Sequence, residues 1–181
     1  MDFDGLSRSV LADVARCVGS VDARQMRELV DAIASERRLI LIGTGRSGAM
    51  LRAMAVRLGH LGVRAHMAGE RGCPDIKAGD LVLVGSGSGR TSVPLKHAIA
   101  AQQAGAAITL ITTNTDSPIA KLAKMIIHIP AGHTPAEDSH HTLRSLFEEC
   151  LLIVCDCACR MLQDKLGVST EEMEARHSPA E

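Results

Sequence analysis

The tightest constraint on how this chain folds is a pattern written twice along it. Leu39-Ile40-Leu41-Ile42 and Leu81-Val82-Leu83-Val84 are four-residue aliphatic runs, and each passes directly into a glycine- and hydroxyl-rich turn and then into a helical pattern. Apolar runs without polar alternation suit strands buried on both faces, as parallel strands are between two layers of helices. Arg64 to Met67, Ala107 to Ile111 and Met125 to Ile129 read as three further strands. Helices are expected over about Ser47 to Leu61 and Thr91 to Ala104, from Leu143 to Leu166 with Gly167 as the stop, and over Glu171 to Arg176. Ser117 and Pro118 are the residue types of an N-cap and first position, so a short helix is expected there. Ahead of the first strand, Leu11, Val14, Ala15 and Val18 form one apolar stripe and Met26, Leu29, Val30 and Ile33 another, predicting amphipathic helices over residues 6–18 and 21–34. Alternating strands and helices predict a single α/β domain over 1–181: a three-layer α-β-α sandwich around a five-stranded parallel sheet, in the flavodoxin-like order 2-1-3-4-5.

In that order the two turns flank the point where successive crossovers diverge, which is where doubly wound sheets bind their ligands. The turns are Gly43-Thr44-Gly45-Arg46-Ser47-Gly48 and Gly85-Ser86-Gly87-Ser88-Gly89-Arg90-Thr91. Their chemistry suits a phosphate monoester. Glycines let the backbone approach closely, helix N-termini aim free N–H groups at the anion, and hydroxyls add donors. The Walker signature GxxxxGK[ST] is absent. Gly43, Gly45 and Gly48 do fit GxGxxG, but the three hydroxyls of the second turn, on Ser86, Ser88 and Thr91, argue against a dinucleotide. The plain alternative is that both segments are strand-to-helix turns and nothing more.

Composition narrows the partners. The chain has 2 Phe, no Trp and no Tyr, so it lacks the aromatic platforms on which base-reading modules stack nucleotides, and its net charge of −1 gives no basic footprint for nucleic acid or an anionic membrane. No apolar run reaches the ~20 residues of a membrane span. Met1-Asp2-Phe3-Asp4 lacks the basic-then-apolar order of a signal peptide, so a cytoplasmic location with reduced thiols is expected. Of the 6 cysteines, Cys150, Cys155, Cys157 and Cys159 cluster in an apolar stretch. Cys155 and Cys159 share a helical face that Cys157 does not, the pattern of buried core thiols rather than a metal site. His140 and His141, adjacent in a polar loop from Ala131 to His141, have no defined coordination geometry, and no metal is expected. His60 reads as a core or interface residue.

Taken together, these motifs resemble the sugar isomerase (SIS) domain family, most closely its 6-phospho-3-hexuloisomerases. The resemblance covers nearly the whole chain. It rests on the first glycine turn, the helix through Met54-Ala55-Val56-Arg57-Leu58-Gly59-His60-Leu61-Gly62, and Ser86-Gly87-Ser88-Gly89-Arg90-Thr91. Thr113-Asn114-Thr115-Asp116-Ser117, Leu146-Phe147-Glu148 and Met173-Glu174-Ala175-Arg176-His177 extend it. It implies an aldose–ketose-type isomerase without metal or organic cofactor, converting D-arabino-3-hexulose 6-phosphate to fructose 6-phosphate through a cis-enediol, in formaldehyde fixation by the ribulose monophosphate route. It also implies a homotetramer (or dimer) with sites at subunit interfaces. By the same resemblance Ser47, Ser86, Ser88 and Thr91 bind the phosphate, Gly45, Arg46 and Gly87 touch the substrate, Glu148 is the base, and His177 approaches the sugar from a neighbouring subunit.

Physical chemistry agrees with those roles without singling them out. A carboxylate at the start of a buried helix can have its pKa raised by desolvation, as a proton shuttle requires. Glu149 competes with Glu148 from about 100° around the helix. A solvated glutamate stabilised by the helix dipole is the bland reading. His177 by itself reads as an exposed terminal residue. Three segments depart from the family pattern: Arg90 where an acidic residue is common, Thr142-Leu143-Arg144-Ser145 in place of a Pro-Met-Gly-Ser/Thr type sequence, and Gly72-Cys73-Pro74-Asp75-Ile76 in place of a Thr-rich one. The competing functions are a non-catalytic sugar-phosphate sensor and an isomerase of another phosphoketose.

Overall fold

The computed structural model describes residues 2–35, 38–132 and 140–177, without the side chain of Arg144. In chain order these form α1 (Phe3–Gly19), α2 (Ala23–Ala34), β1 (Leu39–Ile42), α3 (Gly45–His60), β2 (Ala65–Met67), β3 (Leu81–Gly85), α4 (Ser92–Gln103), β4 (Ala107–Thr112), β5 (Met125–His128), α5 (Leu146–Leu166) and α6 (Thr170–Arg176). The five strands are all parallel, in the order β2-β1-β3-β4-β5. The expected fold class and strand order both hold. Among the described residues no helix is long and apolar enough to cross a membrane.

The aliphatic runs have no polar alternation because each strand fills two cores. Leu39, Leu41, Leu81 and Leu83 point into one, with α1, α2, α3 and α5. Ile40, Ile42, Val82 and Val84 point into the other, against Ala98 and Ala101 of α4 and against Ile119 and Ala120. Four helices cover the first face, whereas the second has α4 and a 3-10 turn at Ala120–Leu122.

The helices begin and end where local chemistry dictates. Asp2 caps α1 by accepting from Gly5 N, Asp22 caps α2 by accepting from Arg24 N, and Ser169 with Glu172 forms a reciprocal capping box on α6. Gly167 ends α5 at φ 65°, as its position predicts. The α2 stripe of Met26, Leu29, Val30 and Ile33 is buried throughout. The α1 stripe needs correction: Val14 is buried with Cys17, while Ala15 is exposed and Leu11 is 66% exposed. The reason is that α1 packs chiefly on α5, and the positions it buries are Val14 and Cys17 rather than the whole expected stripe.

Two other expectations are also corrected. No helix opens at Ser117-Pro118; a 3-10 turn starts at Ala120, although Ser117 Oγ still accepts from Ala120 N. The long helix starts at Leu146 rather than Leu143, because Leu143 takes the left-handed conformation at φ 48° and closes a separate 3-10 turn, Thr142–Arg144. Of the polar loop expected from Ala131 to His141, residues 133–139 lie outside the described residues.

Candidate active site

A cleft of about 380 Å³ opens at the carboxyl ends of β1 and β3, at the topological switch point. One wall is made by the two glycine turns. Gly48 must be glycine because a Cβ there would lie 2.8 Å from Gly43 O, so the fit to GxGxxG reflects the packing of α3 on β1. Gly89 sits at φ 61° with Ser117 Oγ 2.0 Å from where its Cβ would be, which fixes the second turn against the segment after β4.

This wall presents hydroxyls and helix N-termini. Ser47, Ser86, Ser88 and Thr91 all line the cleft. Ser86 is buried and accepts from Gly89 N at 3.2 Å, while Ser88 is exposed and accepts from Arg90 N at 3.3 Å. Thr44 and Thr91 are the N-caps of α3 and α4, both lie on the cleft, and neither caps its own helix through its side chain. Two helix dipoles therefore converge, positive end first, on a cavity rimmed with hydroxyl donors. That arrangement suits a dianion. Gly87 lies on the same surface and Gly45 opens α3 beside it. Thr44 and Thr113 were missed in the sequence reading. The N-cap position of Thr44 was a usable signal, whereas Thr113 reaches the cleft only through the β4 register, donating to Gly87 O at 2.9 Å.

The opposite wall is the start of α5. Phe147 lies under the floor, where a Cβ on Gly87 would meet its ring at 3.0 Å. Glu148 turns into the cleft with its side chain 15% exposed. Its Oε1 accepts from Ser47 Oγ at 3.3 Å; its Oε2 lies 3.5 Å from Arg46 Nη2 and has no hydrogen-bond partner among the described residues. Burial pushes the Glu148 carboxyl above its ordinary value, against the opposing pull of the Arg46 guanidinium. Arg46 also donates to Leu143 O at 2.8 Å and Thr142 O at 3.4 Å, tying the 3-10 turn to α3. Leu143 is 81% exposed and forms part of the rim.

Glu149 faces away from the cleft and takes part in a separate cluster. Its Oε1 accepts from Ser145 Oγ at 2.8 Å and its Oε2 lies 2.8 Å from His141 Nδ1. Between the two glutamates that the sequence left in competition, the helix orientation puts Glu148 in the cleft.

His177 is not brought to this cleft. It follows α6, where its ring stacks on His60 at 5.0 Å between centroids, and Arg176 donates to His60 O. His60 ends the 16-residue α3 whose first turn borders the cleft, so about 24 Å of helix lies between them. The cysteines sit as the helical faces predict: Cys150, Cys155 and Cys159 are buried and Cys157 is exposed. Burial pushes the Cys150 thiol up to about 12.

A family model described as the SIS domain matches residues 32–149. The chain is 42% identical over 172 residues to a 3-hexulose-6-phosphate isomerase of Mycobacterium gastri, over 93% of this chain and 86% of that one. It is 33% identical over 176 residues to a 3-hexulose-6-phosphate isomerase of Bacillus subtilis (strain 168), over 95% of each. Its fold matches, with a TM-score of 0.81, a Methanococcus jannaschii protein whose crystal structure was described as inferring a function of 3-hexulose-6-phosphate isomerase. That match is 26% identical and covers 97% of this chain and 96% of the other.

Proposed function

The chain belongs to the SIS domain family, and from that premise we propose that it is a phosphosugar isomerase interconverting D-arabino-3-hexulose 6-phosphate and fructose 6-phosphate. The observation that carries the reading is Glu148: a carboxylate with a raised pKa, turned into a cleft whose other wall is two helix N-termini and six hydroxyl side chains.

The phosphate sits against the N-termini of α3 and α4, held by Ser47, Ser86, Ser88 and Thr91, with Gly45 and Gly87 offering close backbone approach. Fixing that end directs the carbonyl region of the sugar at Glu148. The carboxylate takes the proton from C2 of the 3-hexulose while O3 gains one, giving the C2–C3 enediol; the proton then returns to C3 as O2 gives up its own, leaving the carbonyl at C2. Arg46, 3.5 Å from Glu148, supplies positive charge beside the developing enediolate. Because Glu148 works deprotonated, kcat/KM falls as pH drops through its raised pKa, so the acid limb lies above the usual carboxylate range.

The wider setting is part of the same proposal: a cytoplasmic protein forming a homotetramer or dimer, serving formaldehyde fixation. Exposed Phe3 and Leu11 on α1 support association. In such an assembly His177 reaches the cleft of a second copy, since about 24 Å of helix separates it from its own. The test is proton exchange from D2O into a panel of hexose, pentose and heptose phosphoketoses, followed by NMR. Exchange at C3 of fructose 6-phosphate, with the 3-hexulose phosphate as product, supports the reading. Exchange confined to another phosphoketose, or tight binding of a hexose phosphate with no exchange at all, overturns it.

A further inference from the structure

Beside the cleft lies a cluster that the isomerase reading leaves unused. His141, in the segment leading into α5, has a side chain only 2% exposed and stands between two carboxylates: Nδ1 is 2.8 Å from Glu149 Oε2 and Nε2 is 3.3 Å from Asp13 Oδ2. Asp13 belongs to α1, where it pairs with Arg16 at 2.9 Å and has His140 Nδ1 at 3.6 Å. Glu149 adjoins Glu148 on the helix, and a carboxylate released there would raise the cost of ionising its neighbour. The imidazole thus links three segments: α1, the turn over the cleft, and the first turn of α5.

We infer that His141 is a positioning residue: it holds Glu149 toward α1, so that Glu148 alone acts in the cleft, and anchors the turn carrying Leu143 over it. The inference rests on the proposed role of Glu148. Three facts carry it. A buried imidazole with a carboxylate within ion-pair distance of each ring nitrogen sits wedged between α1 and α5 and limits where both carboxylates can lie. Ser145 Oγ holds the other oxygen of Glu149, which leaves that side chain one orientation. On the cleft side, Arg46 grips the carbonyls of Thr142 and Leu143, so the segment after His141 is fastened at both ends.

Among the described residues these are the charged groups involved. Glu148 is faced by Arg46 from α3 and by Glu149 on its own helix, and Ser47 donates to it. Glu149 is faced by His141 and, across it, by Asp13 with Arg16 from α1. Removing the imidazole takes away the group that holds Glu149 toward α1 and lets its carboxylate turn toward Glu148, which shifts the Glu148 titration upward. Removing Glu149 as well cancels that shift.

The experiment is a double-mutant cycle between His141→Gln and Glu149→Gln, with His141→Phe as a second variant that keeps a ring in the buried slot. The readouts are the 13C titration of the Glu148 carboxyl, which needs no turnover, and kcat and KM for the hexulose phosphate. In the histidine variants the Glu148 midpoint rises and kcat at neutral pH falls about tenfold, with KM little changed because the phosphate wall is untouched. In the Glu149→Gln background the same histidine changes leave the midpoint where Glu149→Gln alone puts it. An unmoved midpoint in the histidine variants, or the same upward shift in both backgrounds, overturns the inference. A wild-type protein that catalyses no exchange overturns the isomerase reading instead, and the carboxyl titration still decides the role of His141.

Discussion

The two walls of the cleft are built by different means. The phosphate wall is local: its contacts run within a turn or between adjacent strands, as when Gly48 packs on Gly43 and Ser86 closes on Gly89. The carboxylate wall is assembled from afar. Ser47 and Glu148 are 101 residues apart, and Arg46 and Leu143 are 97 apart. One wall is set by backbone geometry that tolerates little, the other by side-chain contacts that can be altered one at a time. The first should govern binding and folding, the second the rate of the chemical step.

The largest expected effect breaks the carboxylate wall. Glu148→Gln lowers kcat by ~10²–10⁴-fold, the range of general acid–base catalysis, and leaves KM nearly unchanged. Steady-state kinetics with the hexulose phosphate checks this, and a KM that rose with kcat intact would reverse the assignment of the two walls. The next effect falls on the phosphate wall and on folding. Gly89→Ala places a Cβ 2.0 Å from Ser117 Oγ at a positive φ, and thermal denaturation should show a loss of about 2–4 kcal/mol.

Ser88→Ala is gentler. It removes one exposed donor to the phosphate and should raise KM by about tenfold with kcat preserved, as expected for a hydrogen bond to a charged group. An equal loss in kcat would mean that the phosphate wall takes part in the chemical step. The smallest effect sharpens the contrast from the other side. Leu143 is exposed and held at φ 48°, so Leu143→Gly relieves backbone strain and should stabilise the fold by about 0.5–1 kcal/mol in denaturant titration. A destabilised variant would show that the leucine side chain, not the carbonyls gripped by Arg46, holds the rim.

The same contrast explains what could be read before folding. The strands and the glycine turns were legible because each depends on neighbours in the chain: an apolar run, then glycine, then a helical period. Ser47, Ser86, Ser88 and Thr91 share a cleft because strand order alone sets the two turns side by side. The misreadings lay where distant contacts decide. The exposed stripe of α1 follows from its packing chiefly on α5, and the delayed start of α5 from a left-handed Leu143 whose carbonyl is held by Arg46. His141 read as half of an ordinary histidine pair in a loop, and only α1 folding back on α5 places Asp13 and Glu149 on either side of its ring.

By itself the sequence determined the α/β sandwich, a parallel sheet, and two turns suited to an anion, since hydrophobic periodicity and turn chemistry are properties of short segments. Only the tertiary structure decided that Glu148 rather than Glu149 faces that cleft, that His177 lies a helix-length from it, and that a buried imidazole joins α1 to α5. These depend on the rotation of one helix about its axis and on contacts across a hundred residues. No local pattern encodes either, because they are settled by how whole elements pack.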